Sequence, residues 1–540
     1  MSDLLARARA WADDDPHDGD RAEIEALISS ADVAELGRRF AGPLTFGTAG
    51  LRGPLRAGPA GMNAAVVTRA AAGLARHLAE NGHAGGGVVI GYDARRRSDE
   101  FARISAAVLT GAGFAVQVLP RALPTPVLSF AVRHLGCAAG VMVTASHNPP
   151  DDNGYKVYLG DGAQLVPPAD RQIEAAIADV GPAREVPVSD EWLTLGDDLA
   201  DDYVAAVVAA LEPARVPGRS ALTVAYTAMH GVGADTTRAV FAAAGLAAPV
   251  SVPEQDAPDP AFPTVAFPNP EEPGATDLLK ALASRVGADV AIAEDPDADR
   301  CAVVCGGRQL TGDEVGALLA DWLLRRGVRG TYASSLVSGS LMHVIAGAAG
   351  QPSAETPTGF KWIVRAGSTE TPLVFGYEEA LGYAVSPTVA RDKDGISASL
   401  AVALLAAELK ESGRTLLDRL DELAVEHGLF ATGQLSVRVE DLSLISAAMD
   451  RLRAAPPARL LGREVAAHDL LSDDPPVDAV RLLGDGVRVV VRPSGTEPKL
   501  KAYLETVVPV HDDAGVIAAR GRGEEELEDL QAEMAAVLGL

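Results

Sequence analysis

At 540 residues the chain is too long for one hydrophobic core, and its length predicts roughly three to five domains. A hydrophobic content of 48% with 4% aromatics describes globular cores built from Ala, Val and Leu and excludes a disordered chain. Lys and Arg number 47 against 74 Asp and Glu, and a net charge of −27 repels nucleic acid and anionic membranes, so neither is expected as a partner.

The first residues, Met1-Ser-Asp-Leu-Leu-Ala-Arg-Ala, lack the layout of a signal peptide. Glycines surround a single arginine in Phe46-Gly-Thr-Ala-Gly-Leu-Arg52-Gly53, a shape that lets backbone approach a phosphate. A strand is predicted over 88–93, a helix over 101–110 and a strand over 116–119. Arg95, Arg96 and Arg97 open that helix and read as a solvated face. Cys137, Cys301 and Cys305 each lie in an apolar stretch. An odd count without a framework predicts buried, reduced thiols and a cytoplasmic protein.

An apolar strand over 138–143 runs into Thr144-Ala-Ser146-His147-Asn148-Pro149, and Asp152-Asn-Gly-Tyr-Lys156 follows. Pro149 and Pro150 prevent a helix, so Ser146 is presented on a polar loop with Lys156 ten residues on. A hydroxyl fixed there suits a covalent nucleophile. Thr, Ser, Asn and Pro serve a plain turn equally well, and this segment alone decides nothing.

Around 180–220 the pattern degrades into Pro, Asp and Gly. A strand over 222–226 then leads into a helix over 236–244, and a strand over 331–335 into a helix over 340–349. Together with 88–119 these make one recurring strand–helix unit, which points to α/β domains with mixed or parallel sheets. Gly111-Ala-Gly113 and Gly231-Val-Gly233 lack the third glycine of a dinucleotide fingerprint and read as caps and turns.

Strands over 288–293 and 301–305 flank Glu294-Asp295-Pro-Asp297-Ala-Asp299-Arg300. Three carboxylates at alternate positions of a tight loop can converge on one hard cation, and Mg²⁺ takes oxygen ligands. Repulsion among them makes a bare acidic turn the poorer reading. Gly376-Tyr-Glu378-Glu379-Ala380 follows an apolar run, where carboxylates can accept bonds from sugar hydroxyls, although paired glutamates are also common on solvated faces. Thr358-Gly359-Phe-Lys361 and Arg391-Asp-Lys393-Asp-Gly are similarly ambiguous. A helix over 396–409 is too short and too polar to span a bilayer. The stretch 453–485, with paired prolines, reads as loop. Val489-Val-Val-Arg492-Pro-Ser494-Gly495-Thr496 is a strand entering a small-residue loop, an inventory for gripping a phosphate dianion or for a plain turn. A final helix is predicted over 523–538.

With these four loops in order, the chain resembles the α-D-phosphohexomutase superfamily, in its phosphoglucomutase/phosphomannomutase branch and closest to the phosphopentomutase-like subgroup. The resemblance implies three related α/β domains with mixed sheets plus a C-terminal α+β domain around a central cleft. The expected divisions are 1–205 (phosphoserine loop), 206–310 (metal loop), 311–425 (sugar-recognition loop) and 426–540 (phosphate-binding loop). It implies a mutase moving a phosphoryl group between the 1- and 6-hydroxyls of a hexose phosphate, glucose phosphate first, with mannose or pentose phosphates as alternatives. A Mg²⁺-dependent sugar phosphatase is the more remote alternative.

The resemblance also implies roles. Ser146 stores the phosphoryl group, with Arg52, His147 and Lys156 around it, and Lys156 is a candidate for proton transfer. Asp295, Asp297, Asp299 and an oxygen on Ser146 hold Mg²⁺, and Arg300 reaches the phosphate. Gly359, Lys361, Glu378, Glu379 and Lys393 contact substrate. Arg492, Ser494, Gly495 and Thr496 bind the phosphate that does not react. A sugar 1,6-bisphosphate is the implied intermediate and activator. Two departures stand out: Ala380 replaces a common serine, and 376–395 has no histidine, with Tyr383 in that neighbourhood.

Overall fold

The computed structural model describes every residue except Met1, Thr48, Ala49, Glu440, Leu442, 495–498 and Leu540. The chain divides into two compact units, Met1–Gln309 with Leu381–Glu408, and Leu310–Ala380 with Leu409–Leu540.

The first unit opens with helices Ser2–Asp14, Asp18–Ser29 and Val33–Arg39, to which the sequence reading assigned no elements. They bury Ala8, Ile24, Leu36 and Phe40 in a small core of their own. Arg97 grips Asp20 through two nitrogens at 2.7 and 2.9 Å, and Asp20 also accepts the Ala64 N–H. That carboxylate therefore ties the helical start to the sheet domain behind it.

The first sheet runs Leu51–Pro54, Asp152–Leu159, Ala139–Val143, Gly87–Tyr92, Ala115–Val118, Leu193–Thr194. Its first two pairings are antiparallel and the others parallel. The second sheet runs Arg308–Gln309, Cys301–Cys305, Val290–Glu294, Val224–Thr227, Val250–Ser251, again two antiparallel pairings and then parallel ones. In the second unit Ser353–Thr356, Thr331–Ser335 and Leu373–Glu378 pair parallel.

All three sheets share one core, in which the second, first and third strands of a βαβ series lie side by side. The chain leaves the third strand at Val143, at Glu294 and at Glu378. The three motifs singled out in sequence thus occupy one topological position, the strand end where α/β sheets place ligand loops. The last sheet, Leu429–Arg438, Lys499–Val508, Val487–Pro493, Val480–Gly484, Arg463–Asp469, Arg459–Leu460, is antiparallel throughout. Helices Ser443–Ala454 and Val516–Leu538 cover it over a core that includes Val489, Val491, Leu504 and Leu530. The fold is therefore three α/β parts of shared topology and a C-terminal α+β part.

Several boundaries differ from the sequence reading. The stretch 453–485 contains three strands rather than loop, because its strand Arg463–Asp469 is largely exposed and lacks the apolar alternation that marks a half-buried strand. Helix Asp198–Leu211 lies inside the segment read as degraded. Helices Gly233–Ala244 and Val516–Leu538 start earlier than apolar periodicity suggests, since Gly233 in the first and Gly521 and Gly523 in the second interrupt the pattern. All three cysteines are free and buried, and burial pushes the thiols of Cys137 and Cys301 up to about 11 and about 12. Among the described residues no helix is long and apolar enough to cross a membrane.

Candidate active site

Within the first unit the loops after Val143 and Glu294 meet. Ser146 is buried, with φ of 53°, a left-handed conformation that L-residues adopt only when the surroundings impose it. Its N–H donates to Thr144 Oγ1 at 2.8 Å, and its Oγ donates to Asp295 Oδ2 at 2.8 Å. His147 Nδ1 lies 3.2 Å from the same Oγ. Burial, then the charges of Arg300 and Arg52, hold the His147 imidazole well below its usual range, so it is neutral beside the hydroxyl.

The three aspartates are fully buried, and one oxygen of each lies within 4.8 Å of the others. Asp297 and Asp299 each spend one oxygen on the protein, and Asp295 spends both. Asp295 Oδ1 accepts the N–H groups of Asp299 and Arg300. Asp297 Oδ2 accepts Thr125 Oγ1 at 2.6 Å and Lys156 Nζ at 2.7 Å. Asp299 Oδ2 accepts Lys156 Nζ at 3.0 Å and lies 3.3 Å from Lys393 Nζ. Asp297 Oδ1 and Asp299 Oδ1 are buried with no hydrogen-bond partner. An orphaned buried carboxylate oxygen costs several kcal/mol unless a cation takes it, so this all-oxygen set fits a hard divalent ion.

The electrostatics agree. Burial and two neighbouring carboxylates push Asp295 well up, whereas Lys156 outweighs burial and holds Asp297 down. Asp299 is also held down, by Lys156, Lys393 and Arg300 against burial and Asp297. Lys156 keeps its proton because Asp297 and Asp299 outweigh its own burial.

Arg52 stands on strand Leu51–Pro54 opposite Gly154, and its charge lowers both His147 and Lys156. Arg300 donates to Glu271 at 3.0 Å, and its Nε is 4.0 Å from Asp299 Oδ1. Lys393, grouped with the sugar contacts in the sequence reading, lies instead beside the aspartates, with Asp392 3.5 Å away.

In the second unit Glu378 ends its strand. Glu379 accepts Ser335 Oγ at 3.0 Å and Ser338 Oγ at 3.1 Å, so its carboxylate is committed to the protein. Gly359, with φ of 109°, caps the short helix Phe360–Ile363, and buried Lys361 stands 5.9 Å from the Trp362 ring. Arg492 lies on strand Val487–Pro493 opposite Lys501, and the Ser494 N–H donates to the Lys499 carbonyl. Gly495 and Thr496 lie outside the described residues.

Next to the Ser338 loop, Asp313 accepts the Gly339 N–H at 2.6 Å and Tyr377 OH at 3.1 Å. Burial, helped by Glu505 and opposed by Gly339, Thr432 and Tyr377, pushes its carboxyl up to about 6. The folded state then binds a proton that the unfolded chain, titrating at 3.8, has already released. Asp313's contribution to stability is therefore full below the unfolded value and declines as pH rises towards about 6. Asp313→Asn should gain melting temperature relative to the native protein as pH is raised from about 4 to 7. A constant difference across that range contradicts this.

Sequence reasoning gave no site role to two residues, Thr125 and Arg95. Thr125, at the start of helix Thr125–His134, binds Asp297 through Oγ1 and also donates its N–H to the Asp297 carbonyl. Its setting between Pro124 and Pro126 marked a helix start but not a partner. Arg95 was misread: it is 4% exposed rather than part of a solvated face, because the 146–152 turn folds over it.

The chain is similar in fold to the Paramecium phosphoprotein pp63/parafusin, a phosphoglucomutase, at a TM-score of 0.72 and 19% identity, covering 93% of this chain and 97% of that one. Four models of the phosphoglucomutase/phosphomannomutase family match in order: α/β/α domain I over 43–183, domain II over 201–308, domain III over 311–425, and the C-terminal domain over 435–512. A Haemophilus influenzae protein named a probable phosphomannomutase is 46% identical over 460 residues, 82% of this chain and 93% of its own length. A Mus musculus phosphopentomutase is 35% identical, covering 90% of this chain and 87% of its own. The chain belongs to the phosphoglucomutase/phosphomannomutase family, and it is an isomerase of the intramolecular phosphotransferase type.

Proposed function

We propose that this protein moves a phosphoryl group between the 1- and 6-hydroxyls of a hexose phosphate, glucose phosphate first, through phosphorylated Ser146 and a sugar 1,6-bisphosphate. The observation that supports it most is Ser146 Oγ bonded to Asp295 in a loop that leaves two neighbouring buried carboxylate oxygens unpartnered.

Asp295, Asp297 and Asp299, with an oxygen on Ser146, would hold Mg²⁺, which when bound neutralises charge on the transferring phosphoryl group. Lys156 and Lys393 keep two aspartates aligned and offset their charge. Phosphoryl transfer has a loose transition state, so positioning and charge neutralisation do most of the work. In the forward half, the bond from phosphorus to Ser146 Oγ breaks as a sugar hydroxyl oxygen bonds to phosphorus, and the hydroxyl's proton passes to the freed Oγ. In the return half, Ser146 Oγ bonds to the other phosphorus of the bisphosphate as its bond to the sugar oxygen breaks, and the serine proton passes to that oxygen. His147, 3.2 Å from Oγ, is placed to take the serine proton, while Arg52 and Arg300 supply positive charge. Lys156 also stands at the aspartates and is a second group placed to transfer a proton.

Glu378 reads sugar hydroxyls, Glu379 steadies that loop through Ser335 and Ser338, and Gly359 and Lys361 line the sugar's approach. Arg492, Ser494, Gly495 and Thr496 grip the phosphate that does not react. The divisions after 205, 310 and 425 belong to this proposal, as does a cytoplasmic location, which three buried free thiols fit.

The test is turnover on glucose, mannose and ribose 1-phosphates with Mg²⁺ and a bisphosphate activator, since the named relatives include phosphomannomutase and phosphopentomutase. The expected result is the 6-phosphate, formed fastest from glucose 1-phosphate. Faster turnover of mannose or ribose 1-phosphate overturns the sugar preference alone. Sustained release of free phosphate without an isomerised product overturns the mutase.

A further inference from the structure

Arg95 lies outside every role assigned above, yet it is among the most deeply buried cations of the first unit. Its Nη2 donates to the carbonyls of Ser146 at 2.7 Å and Asn148 at 2.5 Å. Its Nη1 donates to those of Pro149 at 2.8 Å and Asp152 at 3.2 Å. Four carbonyls from one seven-residue turn thus converge on a single guanidinium. Phe262 covers the planar group, its ring centroid 5.0 Å from the central carbon. Asp93 stands behind, 3.5 Å from Nε, and is itself held by Ser98 Oγ at 2.6 Å and the Arg95 N–H at 3.0 Å.

The turn has other ties, among them Leu55 N–H to the Asp151 carbonyl at 2.7 Å and Arg96 to the Asp151 carboxylate at 3.0 Å. Ser146 is left-handed, which costs a residue with a side chain about 1–2 kcal/mol. Inside the turn, Asn148 N–H bonds Ala145 O, Asp152 N–H bonds Pro149 O, and Asn148 Nδ2 bonds Asp152. None of these touches the Ser146 carbonyl. Because that carbonyl is gripped by Arg95, the peptide after Ser146 cannot rotate, and Oγ stays directed at Asp295. Lysine cannot substitute, since three tetrahedral donors on a point charge do not match four carbonyls in the plane of a fork.

We infer that Arg95 is the positioning residue of the nucleophile: its guanidinium holds the 146–152 turn so that Ser146 Oγ meets the metal loop. This rests on the reading of Ser146 as the phosphoryl carrier. A purely structural role predicts lost stability, whereas positioning predicts a lower rate of transfer in a protein that still binds substrate.

The test uses full-length protein, Mg²⁺ and glucose 1,6-bisphosphate, with the rate of Ser146 phosphorylation followed by mass spectrometry beside steady-state turnover. Arg95→Lys is expected to slow both by at least about 30-fold while KM changes less than about threefold. In Arg95→Ala, millimolar guanidinium ion should restore turnover at least about tenfold by refilling the carbonyl ring. Phe262→Leu, a mild change suited to the case in which the arginine variants do not fold, is expected to slow phosphorylation severalfold at unchanged KM. Phosphorylation at the native rate in folded Arg95→Lys, or in Phe262→Leu where the arginine variants do not fold, overturns the inference and leaves the function standing. A rise in KM with kcat unchanged also overturns it. Failure of the native protein to phosphorylate Ser146 overturns the function and this inference with it.

Discussion

Ser146→Ala is expected to lower turnover by at least about 1000-fold while sugar-phosphate affinity changes less than about threefold. The hydroxyl is the group that would carry the phosphoryl ester, and its Oγ alone reaches Asp295 Oδ2 from this loop among the hydrogen bonds of the described residues. Alanine keeps the Cβ, so the left-handed backbone at this position is no more strained than before. The turn also keeps its backbone ties, because Arg95 and Thr144 bind main-chain atoms of residue 146 and not its side chain. Melting temperature should therefore move by no more than a few degrees. Turnover comes from a coupled assay of isomerised product, affinity from calorimetric titration. Activity within tenfold of the native protein removes Ser146 from the mechanism.

The second large effect concerns the aspartates. Asp299→Asn is expected to weaken Mg²⁺ binding by about 100-fold or more, with turnover falling in parallel at low Mg²⁺. An amide neutralises a ligand whose Oδ1 is otherwise buried and unpartnered. The same change takes a charge partner from buried Lys156 and Lys393, so the metal-free protein should melt at a lower temperature. The stabilisation that Mg²⁺ adds should largely vanish. The loss of that Mg²⁺-dependent increment, read against the variant's own metal-free melting temperature, separates a ligand from a merely structural acid.

Thr125→Val should weaken Mg²⁺ about tenfold by freeing the Asp297 rotamer, and Thr125→Ser should preserve affinity. Equal Mg²⁺ stabilisation in the native protein and in Asp299→Asn contradicts the metal site. Calorimetry and melting curves with and without Mg²⁺ provide both readouts.

Much of this organisation is local and so legible in the chain. The strand before Ser146, the strands flanking Asp295–Asp299 and the strand ending at Glu378 all declare themselves by apolar runs that stop at turn residues. Where a run of charge is concerned, local reading fails. Arg95, Arg96 and Arg97 look alike in sequence, yet Arg95 is buried under a turn more than fifty residues away, Arg97 is partly buried against Asp20 and Glu100, and Arg96 pairs with Asp151 at the surface. Glu378 and Glu379 are equally indistinguishable until Ser335 and Ser338 claim the second.

From its order of residues alone, the chain settles which chemical groups sit on which strand ends, because hydrophobic period and turn chemistry act over a few neighbours. Which of those groups meet is another matter. Ser146 finds Asp295 across 149 positions, and Thr125 finds Asp297 across 172. Such encounters depend on how whole sheets pack, and packing also decides which charges lose their water and must be paired. The grip of Arg95 on Ser146 and the two orphaned oxygens of Asp297 and Asp299 exist only once the loops are folded together.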